Sequence, residues 1–165
     1  MAIPPLPPAP GPALWNWYAE APLVPSVVMR ALSVVVAYPV IPMGDPVADG
    51  VVLCDVWQGV GDFPVSVDCY APPAEVAEAA AAAEVAMLLR RRILLPDDTL
   101  NPDRHLLADV DGTLRPVHVD VVETDEGEAR TNPRMCTGTD PWCQRRVPCR
   151  QSRWTPDSVV PGLAA

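Results

Sequence analysis

The segment Phe63-Pro64-Val65-Ser66-Val67-Asp68-Cys69-Tyr70 decides the fold. Phe63, Val65, Val67 and Cys69 alternate with Pro64, Ser66, Asp68 and Tyr70. Successive side chains of a strand point to opposite faces, so this period of two turns one apolar face toward a core. Residues 50–57 read as its partner strand, and residues 58–62, which hold Gly59 and Gly61, as the hairpin turn. Pro72-Pro73 then opens a long helix, expected over residues 74–94. Glu75 and Glu78 near its start and Arg90, Arg91 and Arg92 near its end complement the helix dipole. Val76, Ala80, Ala83, Met87 and Leu88 approximate its buried face.

Working outward, Ser26 is a plausible N-cap for a short helix over residues 27–32, and residues 34–41 read as a β-branched strand stopped by Pro42. Downstream, residues 106–110 and 114–122 form a second hairpin around Asp111-Gly112, a favoured turn pair. Val117, Val119 and Val121 are expected to face the core, with His118 and Asp120 on the other side. Past Glu123 no period persists, and residues 124–165 read as an arm. Residues 1–12 contain six prolines and read as an extended arm. Residues 13–21 are expected to form one or two helical turns, with Trp15, Trp17 and Tyr18 anchoring onto a neighbour or onto the same domain. The expected organisation is an N-terminal arm (1–25), an α+β core (26–123) and a C-terminal arm (124–165).

Composition narrows the function classes. The 22 prolines among 165 residues argue against a helical bundle, since each interior proline removes a backbone donor. The net charge is −9, unevenly spread. Residues 130–154 carry six Arg against Asp140 alone, +5, which leaves −14 on the rest. An acidic body is a poor nucleic-acid binder, because phosphate neutralisation supplies most of that affinity. A basic tail on an acidic body suits contact between copies or folding back on the same body. The interface candidates are therefore Trp15, Trp17, Tyr18, Arg134, Trp142, Arg145, Arg146, Arg150, Arg153 and Trp154. The start of the chain lacks the pattern of a secretory signal, and no apolar run is long enough to span a bilayer, so a reducing cytoplasm is the expected site of synthesis.

The chemistry-bearing groups are few. Cys136, Cys143 and Cys149 are separated by six and five residues, without the short Cys-x2–4-Cys pair usual in structural zinc sites. His105 and His118 are the histidines available as a fourth ligand. No metal or cofactor is expected, and the thiols are read as isolated or as one late disulfide. Cys54 and Cys69 lie in apolar strands, where a thiol behaves as a small hydrophobe. Residues 106–114, Leu-Leu-Ala-Asp-Val-Asp-Gly-Thr-Leu, resemble the first motif of haloacid-dehalogenase-type phosphatases. That resemblance would make Asp109 the nucleophile and Asp111 the acid/base. The order of the remaining acids departs from the family, and a hairpin turn accounts for the same residues. No catalytic residue is expected.

The run Pro64-Val65-Ser66-Val67-Asp68-Cys69-Tyr70-Ala71-Pro72, leading into an Ala-rich helix with Glu75, Glu78 and Glu84, resembles the tail terminator (tail completion) proteins of long-tailed bacteriophages. Val40-Ile41-Pro42-Met43 followed by residues 51–57 resembles that family's preceding loop and hairpin strand. The resemblance spans residues 26–123. It implies a small sandwich of a mostly antiparallel sheet with helices on one face. It also implies a structural virion protein, a hexameric ring capping the tail tube and docking to the head–tail connector, with another neck or capsid-associated role as the alternative. Its partners would be further copies, the tail tube protein and the connector protein, with no membrane involved.

Overall fold

The computed structural model describes residues 13–46, 49–97, 101–144 and 149. These form an α+β fold of one mixed sheet and two helices. In chain order the elements are β1 (Leu14–Ala19), α1 (Pro25–Val36), β2 (Val40–Pro42), β3 (Val52–Gln58), β4 (Val65–Tyr70), α2 (Glu78–Leu89), β5 (Ile93–Pro96), β6 (Arg104–Ala108), β7 (Leu114–Thr124), β8 (Gly127–Met135) and a 3₁₀ turn, Pro141–Gln144. The sheet order is β2-β3-β4-β1-β5-β6-β7-β8. Among the described strand pairs β2–β3 alone is parallel. Among the described residues no helix is long and apolar enough to cross a membrane.

The β3–β4 and β6–β7 hairpins form, with Cys54 opposite Cys69 and Ala108 opposite Leu114. Val117 and Val119 are buried as expected, but Val121 is exposed and His118, expected on the outer face, is fully buried. Other elements differ from expectation. Residues 14–19 are a strand in mid-sheet rather than helical turns of an arm, paired with β4 on one side and β5 on the other. Trp15, Trp17 and Ala19 point inward, so the two tryptophans are core residues and not interface anchors. Helix α1 runs through Val36, which shortens the expected strand to three residues, Val40–Pro42. Helix α2 ends at Leu89, because Arg90 takes a left-handed conformation (φ 53°) and its N–H bonds to the Ala86 carbonyl. That break frees Ile93-Leu94-Leu95 to form β5. The buried face of α2 is Ala79, Ala81, Ala82, Ala83, Val85 and Ala86, leaving Met87 and Leu88 exposed. Small residues let α1 and α2 pack on each other and on the same sheet face, against Trp17, Val65, Val67, Leu95 and Leu106.

The opposite face carries a smaller core of Phe63, Leu94, Leu107, Val117 and Val119. It is enclosed by the sheet's own curl. Gly61, in the β3–β4 loop, bridges to Arg130 of β8, and the Asp62 N–H donates to the Arg130 carbonyl at 2.9 Å. Gly61 has φ +97°, and a Cβ there would lie 2.8 Å from the Arg130 carbonyl oxygen, so only glycine allows this approach. Strand β8 itself occupies residues whose sequence carries no period and reads as part of an arm.

Candidate metal centre

Strand β8 carries one extra residue against β7. His118 pairs with Arg134, but Asp120 pairs with Thr131, so the step of two residues on β7 spans three on β8. The bulge is relieved at Asn132, which adopts φ 55°, a conformation asparagine tolerates better than most residues. The Asn132 N–H is held by the Asp62 carboxylate at 2.8 Å, and its side-chain amide donates to Asp120 at 3.2 Å. One inserted residue inverts the alternation of the strand beyond it. Arg134 and Cys136 thus come to the face that carries His118, whereas a regular ladder would turn Cys136 away. The Cys136 N–H then donates to the Pro116 carbonyl at 2.9 Å, continuing the strand alongside β7.

The chain next reverses tightly. The Thr137 hydroxyl accepts from the N–H groups of Thr139 and Asp140, and bonds to the Asp140 carboxylate. The Asp140 carbonyl accepts from the Cys143 N–H at 2.8 Å, starting the 3₁₀ turn. The result places Cys143 Sγ 3.9 Å from Cys136 Sγ and 3.5 Å from His118 Nε2. Cys149 Sγ lies 3.3 Å from the same His118 nitrogen. All four ligand atoms fall within 4.8 Å of one another. His118, Cys143 and Cys149 are buried, and Cys136 is half-buried. The thiols are therefore neither isolated nor bonded in pairs; all are free.

The surroundings are polar. The buried Asn101 donates its side-chain amide to Cys149 Sγ at 3.6 Å. Burial pushes the Cys149 thiol up to about 12, and the neighbouring Cys136 adds to the shift. Burial also raises Cys136, against the pull of the Arg104 guanidinium. Burial opposes ionisation of Cys143 too, but hydrogen bonds from the Gly138 backbone, the Cys136 thiol and the Asp140 and Thr137 backbone hold this thiol below its ordinary value. Ordering residues 136–144 costs on the order of 1–2 kcal/mol per residue, while the 3₁₀ turn buries only Cys143. Beyond Cys143, the turn contributes the half-buried Trp142 ring under Arg134.

The other sequence candidates fall elsewhere. Trp15 and Trp17 stack on each other with centroids 5.4 Å apart in the helix-side core. Tyr18 is half-buried on the opposite face, with the Arg130 guanidinium 3.5 Å over its ring. Arg134 grips Asp120 with two hydrogen bonds, 2.8 and 3.0 Å, and lies 5.0 Å over the Trp142 ring. This arginine folds back on its own body. Arg145, Arg146, Arg150, Arg153 and Trp154 lie outside the described residues. Asp109 accepts from the Val110 N–H, and Asp111 from the Thr113 N–H and hydroxyl. Those bonds are the ones a turn requires, and the Thr113 side-chain and backbone donors hold Asp111 below the usual carboxylate range. Cys54 and Cys69 are both pushed up to about 12 by burial and are inert packing groups.

His105, on β6, is buried, and burial assisted by the Arg130 charge lowers it to about 4. The folded chain keeps this imidazole neutral while the unfolded chain takes up a proton below about pH 6.5. Stability from this group is therefore complete above about pH 6.5 and is lost as pH falls toward about 4, by up to about 3 kcal/mol. Urea unfolding of the wild type and His105→Gln at about pH 7 and about pH 4.5 should show a smaller pH-dependent loss in the variant. Equal losses in both would contradict the assignment.

Comparison with protein-family models, curated proteins and solved structures finds no match to this chain, and the reading of function rests on its own residues and geometry.

Proposed function

We propose that this chain is a structural assembly protein of the tail-terminator kind, whose copies join into a ring that caps a phage tail tube and meets the head–tail connector. The observation that carries the reading is the outer half of the β7–β8 hairpin. Strand β6 covers β7 only over Leu114–His118, so beyond that point β7 has only β8 beside it among the described strands. Val121, Val122, Glu123, Thr124, Asp125, Glu126, Gly127 and Glu128 are all exposed. A two-stranded ribbon with both faces in water is marginally stable by itself, and it gains stability when another surface covers it.

A complementary surface exists on the same chain. At the end of α2, Met87, Leu88 and Arg90 are exposed, with Arg91 half-exposed beside them. Apolar residues flanked by arginines there match apolar residues flanked by carboxylates on the hairpin. Two different patches of one chain make a head-to-tail contact, which closes into a ring when the rotation permits. The resemblance to tail terminators over residues 26–123 and the absence of a convergent catalytic set among the described residues point the same way.

Native mass spectrometry of the full chain should give assemblies near six copies. Replacing residues 123–128 by Asn-Gly, or Arg90→Glu with Arg91→Glu, should leave a folded monomer. A wild-type chain that stays monomeric at assembly concentrations, alone and with tail tube protein, would overturn the proposal.

A further inference from the structure

The geometry points to a structural zinc site: one Zn²⁺ held by His118 Nε2 and the Sγ atoms of Cys136, Cys143 and Cys149. Zn–S bonds of about 2.3 Å and Zn–N bonds of about 2.0–2.1 Å, set tetrahedrally, require edges of about 3.8 Å between sulfurs and about 3.5 Å between sulfur and nitrogen. The observed edges are 3.9 Å for Cys136–Cys143, 3.5 Å for Cys143–His118 and 3.3 Å for Cys149–His118. Three of the six edges thus match those of a zinc tetrahedron, and all six lie within 4.8 Å.

The donor set selects the metal. Three thiolates and an imidazole in a tetrahedron suit zinc, whereas magnesium and calcium want oxygen. The mutual limit of 4.8 Å is a single-ion site, since a cluster would spread its ligands over several iron atoms. Four protein ligands leave no open position, so the role is structural and not catalytic. Binding releases the three thiol protons to solvent, and the resulting centre carries a charge of −1. The buried Arg104 lies opposite His118 in the β6–β7 register, so its positive charge neighbours the centre. Asn101, donating to Cys149 Sγ, supplies the kind of outer-shell hydrogen bond that orients a metal ligand.

The ion gives a structural role to a buried histidine and three converging thiols, and it anchors a segment in which every residue from 137 to 144 except Cys143 is half-buried or exposed. It fastens the chain after β8 onto β7 through His118, whatever partners the arginine-rich residues beyond it meet. The inference is independent of the assembly role.

The full chain, purified with a phosphine reductant and without chelator, should contain one zinc per chain by plasma mass spectrometry. His118→Ala and Cys143→Ser should lose it, while His118→Cys, which restores a fourth ligand, should retain it. Because a ligand variant can also fail through misfolding, wild-type chain stripped of metal and loaded with Co²⁺ provides the second measurement. It should show the intense ligand-field bands of tetrahedral cobalt and a sulfur-to-cobalt charge-transfer band. A reduced chain that holds no zinc and yields no cobalt spectrum would overturn the site. So would a Cys136–Cys143 disulfide in chains alkylated at lysis.

Discussion

Trp17→Ala should destabilise the fold by about 3–5 kcal/mol, the range for removing a large aromatic from a packed core. Trp17 is 1% exposed, lies opposite Val67 on the neighbouring strand and stacks on Trp15 with an interplanar angle of 12°. Its indole N–H donates to Glu78 Oε1 at 2.9 Å, tying the first strand to the first turn of α2. Truncation opens a cavity at the centre of the sheet, strips Trp15 of its stacking partner and takes this donor from Glu78. Trp17→Phe keeps much of the ring volume and loses the hydrogen bond, so it should cost less than half as much. Urea unfolding followed by circular dichroism separates the two. A loss below about 1 kcal/mol for the alanine variant would place Trp17 outside the core, because surface substitutions rarely exceed that size.

Asp97→Ala should cost about 3–5 kcal/mol, because breaking a buried ion pair leaves an uncompensated charge. Arg104 Nε and Asp97 Oδ2 are 3.3 Å apart, with side chains 4% and 1% exposed. Neutralising both ends, as Asp97→Leu with Arg104→Met, should recover at least half of that loss, since neither charge then has to be desolvated. If the single and double variants are equally unstable, the pair is not the source of the effect. Zinc content offers a distinct readout on the double variant. The metal centre would lose its neighbouring positive charge, so its occupancy should fall even where the stability returns.

The parts of the fold written in the sequence are those where one face of an element meets water and the other meets the core. β4 is of that kind, and its alternation of Val65, Val67 and Cys69 with Ser66, Asp68 and Tyr70 corresponds to a strand buried on one side. β1 carries the same signal, Trp15, Trp17 and Ala19 against Asn16 and Tyr18, but six residues beside a proline-rich stretch are easily assigned to an arm. β5 is buried on both faces and has no alternation, and the break before it falls at Arg90, a residue that gives no turn signal. β8 is largely solvated and lacks an apolar period for the opposite reason. The metal centre is hidden more deeply. Its ligands come from positions 118, 136, 143 and 149, and their meeting depends on a bulge at Asn132 that sets which side of β8 Cys136 occupies. Spacing alone does not encode that. A histidine in mid-strand, followed by three cysteines at positions 136, 143 and 149, is the clue the sequence holds.

The central place of β1 bears on how the chain reaches its native state. Leu14 pairs with Tyr70, and Tyr18 with Leu94, so β1 cannot enter the sheet until partners some fifty residues or more later have emerged. Contacts of such sequence separation slow folding, because the intervening chain must be closed before the pairing repays it. During synthesis Trp15 and Trp17 stay without their native cover until β4 and then α2 leave the ribosome. A helper that shields a short aromatic segment over that interval would raise the yield of folded chain without touching the finished protein.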